Sequence, residues 1–450
     1  MHELLRDVAQ RSARYLDGLA ERSVFPDASA LEGLDALAGP LPEDGASASE
    51  VIALLDQFGG PATVASTGGR YFGFVTGGTL PAALAANWLA SAWDQNSFSS
   101  TSSPMGAAIE RQAISWLVDV FGLPPGCGGA LVTGATMANF TGLAAARHAV
   151  LEQAGWDVEA NGLFGAPPIT VVVSDEAHTV LFKVLGLLGL GRENVVRVPV
   201  DAQGRMRADA FPVIEGPAIV CLQAGNVNTG AFDPATELVD QAHASGAWVH
   251  VDGAFGMWAT AAPERAHLML GYADADSWAV DGHKWLNVPY DCGIALVRQP
   301  AALAAAMSIN AAYLLQGGQP NPFDYTPEAS RRMGGVEVWA ALKSLGRSGV
   351  AELIERNCRQ ATRFADGLRD AGFDILNDVV LNQVLVSFGS PDETNRVIAA
   401  IQAEGTSWCG GTVWQGKTAM RISVSSWATR DEDVERSLEA MVRVARATLS

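Results

Sequence analysis

The chain has 450 residues, more than one ordinary domain and enough to bury a large core. Its formal net charge of −19 argues against nucleic acid or an anionic membrane as a general partner. Cys127, Cys221, Cys292, Cys358 and Cys409 form no C-x-x-C pair, and there is neither a signal-peptide core nor an uncharged apolar span of roughly 18 residues, so a cytoplasmic protein with reduced thiols is expected.

In chain order, Leu4, Leu5, Val8, Tyr15, Leu16 and Leu19 share one face of a predicted helix, which reads as an arm. Residues 24–50, rich in Pro, Gly, Ala and acids, read as a linker. The stretch 68–78 is too glycine-rich for a regular strand or helix. Serines 97–103 precede Pro104 and a predicted helix carrying Ile109, Ala113, Trp116, Leu117 and Val120; self-capping by serine is the default reading. A strand is predicted over 129–133, followed by T-G-A-T-M-A-N (133–139) opening a helix. Such a glycine turn directs backbone N–H groups and a positive dipole end outward, as a phosphate requires.

Further strands are predicted over 169–173, 218–222, 248–251, 277–280 and 292–298. The 248–251 run stops at Asp252-Gly253, and the 277–280 run at Asp281-Gly282, followed at once by His283-Lys284. His178 falls just past the 169–173 strand. Residues 314–330 read as a lid or a connection. Helices over 336–345 and 349–368, strands over 384–388 and 420–424, and a terminal helix opened by a Thr429/Glu432 capping box complete a smaller lobe. No internal repeat, G-x-S-x-G elbow, Walker loop or H-E-x-x-H zinc signature is present, and no metal site is expected.

The predicted strands end at Thr133, Ser174, Leu222, Val251 and Val280, and every chemically suggestive residue follows one of these ends. In an open α/β sheet that edge binds ligands. A carboxylate and a lysine placed there suit pyridoxal phosphate, which is held by a lysine as a Schiff base while an acid pairs with its ring nitrogen.

V-D-G-A-F-G followed by D-S-x(5)-H-K-W resembles the pyridoxal-phosphate-dependent amino-acid decarboxylases of the aromatic-amino-acid and glutamate decarboxylase group, over about residues 70–430. The resemblance implies an α/β fold of the aspartate-aminotransferase type (fold type I). This has a mostly parallel, seven-stranded-type sheet flanked by helices, a smaller α+β C-terminal domain and an N-terminal helical arm packed across a homodimer. The implied divisions are an arm and linker (1–70), a large cofactor-binding domain (71–315), and a lid with the small domain (316–450).

The implied catalytic residues are Lys284, His178, Asp252 and Tyr325, the last as proton donor. Gly134, Ala135 and Thr136 form the implied phosphate cup. Ala254 and His178 flank the ring, and Ser277 and His283 contact the phosphate or orient the lysine. Tyr71, Phe72, Phe74 and Thr76 are pocket residues, core packing of the aromatics being the alternative. Arg421 either clamps the substrate carboxylate or pairs with an acid. The family threonine after the 218–222 strand is replaced by Val227, with Asn226, Asn228 or Thr229 as substitutes. The implied reaction is decarboxylation of an L-amino acid. A carbon–carbon lyase, a transaminase, an aldehyde synthase or a non-catalytic cofactor-binding homodimer would share the same cofactor residues.

Overall fold

The computed structural model describes residues 1–309 and 321–450, so residues 314–320 of the expected loop lie outside the described residues. The chain divides into two compact units. One comprises Thr79–Thr362 and Asn377–Gln383; the other comprises Met1–Gly78, Arg363–Leu376 and Val384–Ser450.

The larger unit is built on a seven-stranded sheet. Strands β1 (Gly128–Val132), β2 (Thr170–Ser174), β3 (Val196–Val198), β4 (Ala218–Gln223), β5 (Trp248–Asp252), β6 (Ser277–Asp281) and β7 (Gly293–Val297) lie in the order β1-β7-β6-β5-β4-β2-β3. Only β7 runs against its neighbours. β4, β5, β6 and β7 are buried at every residue, as expected of strands covered on both faces and written as continuous apolar runs. The C-terminal ends of β1, β2, β4, β5 and β6 therefore meet at one edge, together with the start of β7.

Four helices of this unit matter below: α1 (Pro81–Trp93), α2 (Pro104–Val120), α3 (Ala135–Gln153) and α4 (Thr179–Leu187). The Ser103 side chain caps α2 by accepting from Gly106 N at 3.2 Å, the default role expected of the serine run. Leu143 and Val150 of α3 pack with Leu181, Val184 and Leu185 of α4 against Ile219 and Trp248, forming one apolar layer. A buried ion pair, Arg331 to Glu110 at 2.9 Å, joins α2 to β1, because Glu110 also accepts from Leu131 N at 3.1 Å.

The smaller unit carries a four-stranded sheet in the order β10-β11-β9-β8, formed by β8 (Asp374–Ile375), β9 (Gln383–Ser387), β10 (Gly410–Trp414) and β11 (Lys417–Ser423). Two expectations are corrected here. The 24–50 segment is not a plain linker: it contains helices Ala28–Glu32 and Ala48–Leu54, the latter opened by a Ser47–Glu50 capping box. Composition concealed the box because it sits among turn-forming residues. The terminal helix, Asp431–Leu449, follows Arg430, whose N donates to the Asp433 carboxylate at 3.0 Å, while the Thr429 hydroxyl donates to Gly69 O at 2.9 Å.

A buried polar chain crosses the larger unit beneath the strand ends. Asn139 Nδ2 donates to Ala135 O at 2.8 Å, which leaves Asn139 Oδ1 to accept from His250 Nε2 at 2.8 Å. His250 Nδ1 then accepts from the Ser277 hydroxyl at 2.8 Å, and Ser277 Oγ accepts from Trp248 Nε1 at 2.8 Å. Each polar atom in this chain thus has one defined role. Burial pushes the His250 imidazole from 6.5 down to about 3.

Because the folded chain refuses a proton that the unfolded chain accepts, this contribution is complete above pH 6.5 and is lost as pH falls toward 3. Urea unfolding of the wild type at pH 7.5 and 5.5 is expected to show a loss on acidification of about 1 kcal/mol beyond that of His250→Gln, from the ~1.4 kcal/mol that accompanies each pH unit. Equal losses in the two proteins would remove His250 as a source.

Candidate active site

The pairing of β5 with β6 sets the geometry. Asp252 lies opposite Ala279, and beyond the ladder Asp281 N donates to Ala254 O at 2.8 Å. Both strands thus reach the same edge, where Asp252 and Asp281 are each buried. The Asp252 side chain turns back to accept from Ala254 N at 3.4 Å. Trp258 Nε1 donates to Asp281 O at 3.1 Å and holds the second strand end in place.

Asp281 is the junction of the site. Its Oδ1 accepts from Ala135 N, the first residue of α3, at 2.6 Å. Its Oδ2 lies 3.0 Å from Lys284 Nζ, and Oδ1 lies 3.3 Å from His283 Nε2. His283 Nδ1 accepts from Cys292 N at 3.0 Å, so in the neutral ring Nε2 is the donor facing Asp281. Burial lowers the His283 value from 6.5, favouring that neutral form, while Asp281 opposes the shift. The ring also stacks on Tyr290 at 4.3 Å. Lys284 Nζ sits 6.0 Å from the Phe255 ring centroid, one residue beyond Ala254.

Gly134 precedes α3 in an extended conformation. A Cβ on Gly293, at the start of β7, would come within 2.4 Å of the Gly134 backbone. The cradle at the α3 N-terminus is therefore walled by backbone, and the first-turn N–H groups of a helix have no intrahelical acceptor.

Gly134, Ala135, Asp252, Ala254, His283 and Lys284 thus come together, with Thr136 in the first turn of α3. His178 follows the end of β2 at the same edge and caps α4, its Nδ1 accepting from Val180 N at 3.3 Å.

Two residues are placed elsewhere. Ser277 begins β6 and is engaged by Trp248 and His250. Four residues at about 3.3 Å each separate it from Asp281, so it is at the wrong end of the strand to touch a phosphate there. Tyr325 lines a cavity of about 450 Å³ with Cys127, Gly128, Gly129 and Pro300, beside the start of β1 and so at the opposite edge of the sheet from Lys284. Burial raises its phenol above the ordinary value, and it stays protonated. Within one chain it does not serve Lys284.

The place of the absent family threonine is taken by a loop tie: Asn226 Oδ1 accepts from Asn228 N at 2.9 Å and Thr229 N at 3.3 Å. The residue that pattern reading passed over is Asp281. It had been visible only as the stop of a strand.

In the smaller unit, Tyr71 stacks on Trp408 at 5.2 Å and Phe74 lies 5.4 Å from the same ring. Phe74 is 63% exposed, and both it and Val75 hold positive φ. Thr76 N donates to Gly73 O at 3.1 Å, and Thr76 O accepts from the Ser425 hydroxyl at 3.1 Å. Phe72 is not a pocket residue: it is 1% exposed and meets Phe364 edge-on at 5.0 Å, so it belongs to the core of its unit. Arg421 lies in β11, half-buried, and burial lowers its guanidinium from the ordinary value.

Residues 63–389 match the model of the pyridoxal-dependent decarboxylase conserved domain, and the chain belongs to that family. It is a pyridoxal 5′-phosphate-dependent amino-acid decarboxylase, a carboxy-lyase. Tryptophan decarboxylase 1 of Oryza sativa subsp. japonica is 28% identical over 411 residues, covering 82% of this chain and 79% of that protein. The aromatic-L-amino-acid decarboxylase of Bacillus atrophaeus is 25% identical over 427 residues, covering 90% and 86%. The crystal structure of Oryza sativa TDC with PLP and tryptamine matches with a TM-score of 0.91 at 23% identity, covering 100% of this chain and 98% of that one.

The residues present fit this cofactor. A lysine, a buried acid on the adjacent strand and a backbone-walled helix N-terminus meet at one sheet edge. Gly293→Ala would press a methyl group into the Gly134 backbone, so cofactor affinity, measured by absorbance titration of the folded variant, is expected to fall at least about tenfold. Unchanged affinity would separate the cradle from the cofactor.

Proposed function

We propose that this enzyme decarboxylates an aromatic L-amino acid, with Lys284 carrying the cofactor. The observation that supports the site most strongly is the approach of Lys284 Nζ to the α3 N-terminus through Asp281, beside the end of the strand that bears Asp252. When bound, pyridoxal phosphate supplies the electron sink for the bond electrons left as carbon dioxide departs. Asp252 would hold the proton on the ring nitrogen. Gly134, Ala135 and Thr136 hold the phosphate, and His283 orients the lysine. Ala254 and His178 would lie against the ring and hold its plane. Tyr71, Phe74, Thr76 and Arg421 are proposed as substrate contacts on the strength of the family resemblance.

The aromatic substrate class is supported by the names of the relatives, which include tryptophan and aromatic-L-amino-acid decarboxylases. The purified, cofactor-loaded enzyme is expected to release carbon dioxide and the matching amine from tryptophan, phenylalanine or tyrosine, and Lys284→Ala is expected to lose both turnover and visible cofactor absorbance. Preference for glutamate or 2,4-diaminobutyrate in the same panel would overturn the substrate class. Aldehyde or keto acid in place of amine would overturn the reaction.

A cytoplasmic homodimer is part of the proposal. All five cysteines are unpaired, and among the described residues no helix is long and apolar enough to cross a membrane. α1 contains no charged residue and exposes Trp88 (42%), Leu89 (52%) and Trp93 (43%). The arm helix His2–Asp17 buries none of its residues within the chain. Such apolar faces call for a partner. Light scattering is expected to give about twice the 47.2 kDa chain mass, and Leu89→Glu to shift it toward one chain; a wild type of single-chain mass would refute self-association.

A further inference from the structure

The geometry points to Asp281 as a positioning residue that holds Lys284 and occupies the phosphate cradle until the cofactor takes its place. This rests on the proposed assignment of Lys284 and the α3 N-terminus to the cofactor.

Its side chain is only 3% exposed, and its main chain is pinned on both sides, N to Ala254 O and O to Trp258 Nε1. Only the carboxylate is left to move. At 2.6 Å from Ala135 N, that carboxylate already fills the acceptor position at the mouth of the helix. A phosphate ester carries nearly two negative charges at neutral pH and seeks the same N–H groups. Two anions do not share one partly dry helix end without a counter-charge. The one cation in contact with Asp281 among the described residues is Lys284, whose Nζ is 3.0 Å from Oδ2.

His283 offers Asp281 a neutral alternative. Cys292 N–H holds its Nδ1 as an acceptor, so Nε2–H is aimed at Asp281 Oδ1 at 3.3 Å. With Ala135 N–H given up, the carboxylate would still keep this donor. The arrangement keeps Lys284 aimed at the cradle while Asp281 holds the acceptor position there.

Two measurements on the cofactor-free full-length chain test this. By calorimetry, Asp281→Asn is expected to bind inorganic phosphate at least about tenfold more tightly than wild type, because the amide keeps the shape and removes the charge. By stopped-flow absorbance, it is expected to capture pyridoxal phosphate faster. Phosphate binding no tighter than wild type, or slower capture by a variant whose melting profile is intact, would overturn the proposal.

If wild type takes up no pyridoxal phosphate, or Lys284→Ala takes it up equally well, the cofactor-site assignment itself fails. That outcome is distinct from a wild type that loads normally without the difference expected of Asp281.

Discussion

The register between β5 and β6 is the constraint from which the site follows. With Asp252 set opposite Ala279, β6 runs two residues past the end of β5, and Asp281 N reaches Ala254 O one step past the ladder. A slip of one residue would turn every side chain on one strand to the other face of the sheet. Asp281 would then lose the α3 N-terminus and Lys284 together. Burial of both strands on both faces makes such a slip costly, because Trp278 and Val251 would exchange places with polar neighbours. The precision of the site is thus inherited from an apolar sheet interior rather than from the loops that carry the functional side chains.

Beneath that edge, polar groups are buried in a chain that leaves no ambiguity of donor and acceptor. Asn139, His250, Ser277 and Trp248 link α3 to β5 and β6 through four hydrogen bonds of 2.8 Å. Burying these groups without partners would cost several kcal/mol. With them paired, the chain fixes the first turn of α3 relative to the two strands that bear Asp252 and Asp281. The Ala135 carbonyl is one end of this chain, and the Ala135 amide is the one that meets Asp281. A single residue therefore couples the buried support to the exposed edge.

Much of this was legible in the residues. Short apolar runs ending in Asp-Gly located β5 and β6, and the turn before Ala135 located the start of α3, because strand ends and helix starts have local signatures. Asp252, Lys284 and His283 were singled out for the same reason, and Ala254 through the family resemblance. Ser277, Phe72 and Tyr325 show where local reading stops. Ser277 and Lys284 are close in sequence, but a strand separates them by its own length. Phe72 and Phe74 are alike as residues, and packing decides that one is core and the other exposed. Tyr325 lies in the expected loop yet falls at the other edge of the sheet, beside Cys127 and Gly128.

By itself, the sequence determined six of the seven strands of the larger sheet, the cofactor chemistry and the family pattern around Lys284, whose resemblance implied a mostly parallel sheet. Each is carried by periodicity, composition or a contiguous motif, which are properties of neighbours along the chain. Only the tertiary structure decided that Asp281 joins Ala135, His283 and Lys284, that His250 is held neutral within a fully paired chain, and that Tyr325 is remote from the lysine. These depend on distances between segments far apart in sequence. Such distances exist only once the strands have paired and the helices have closed over them.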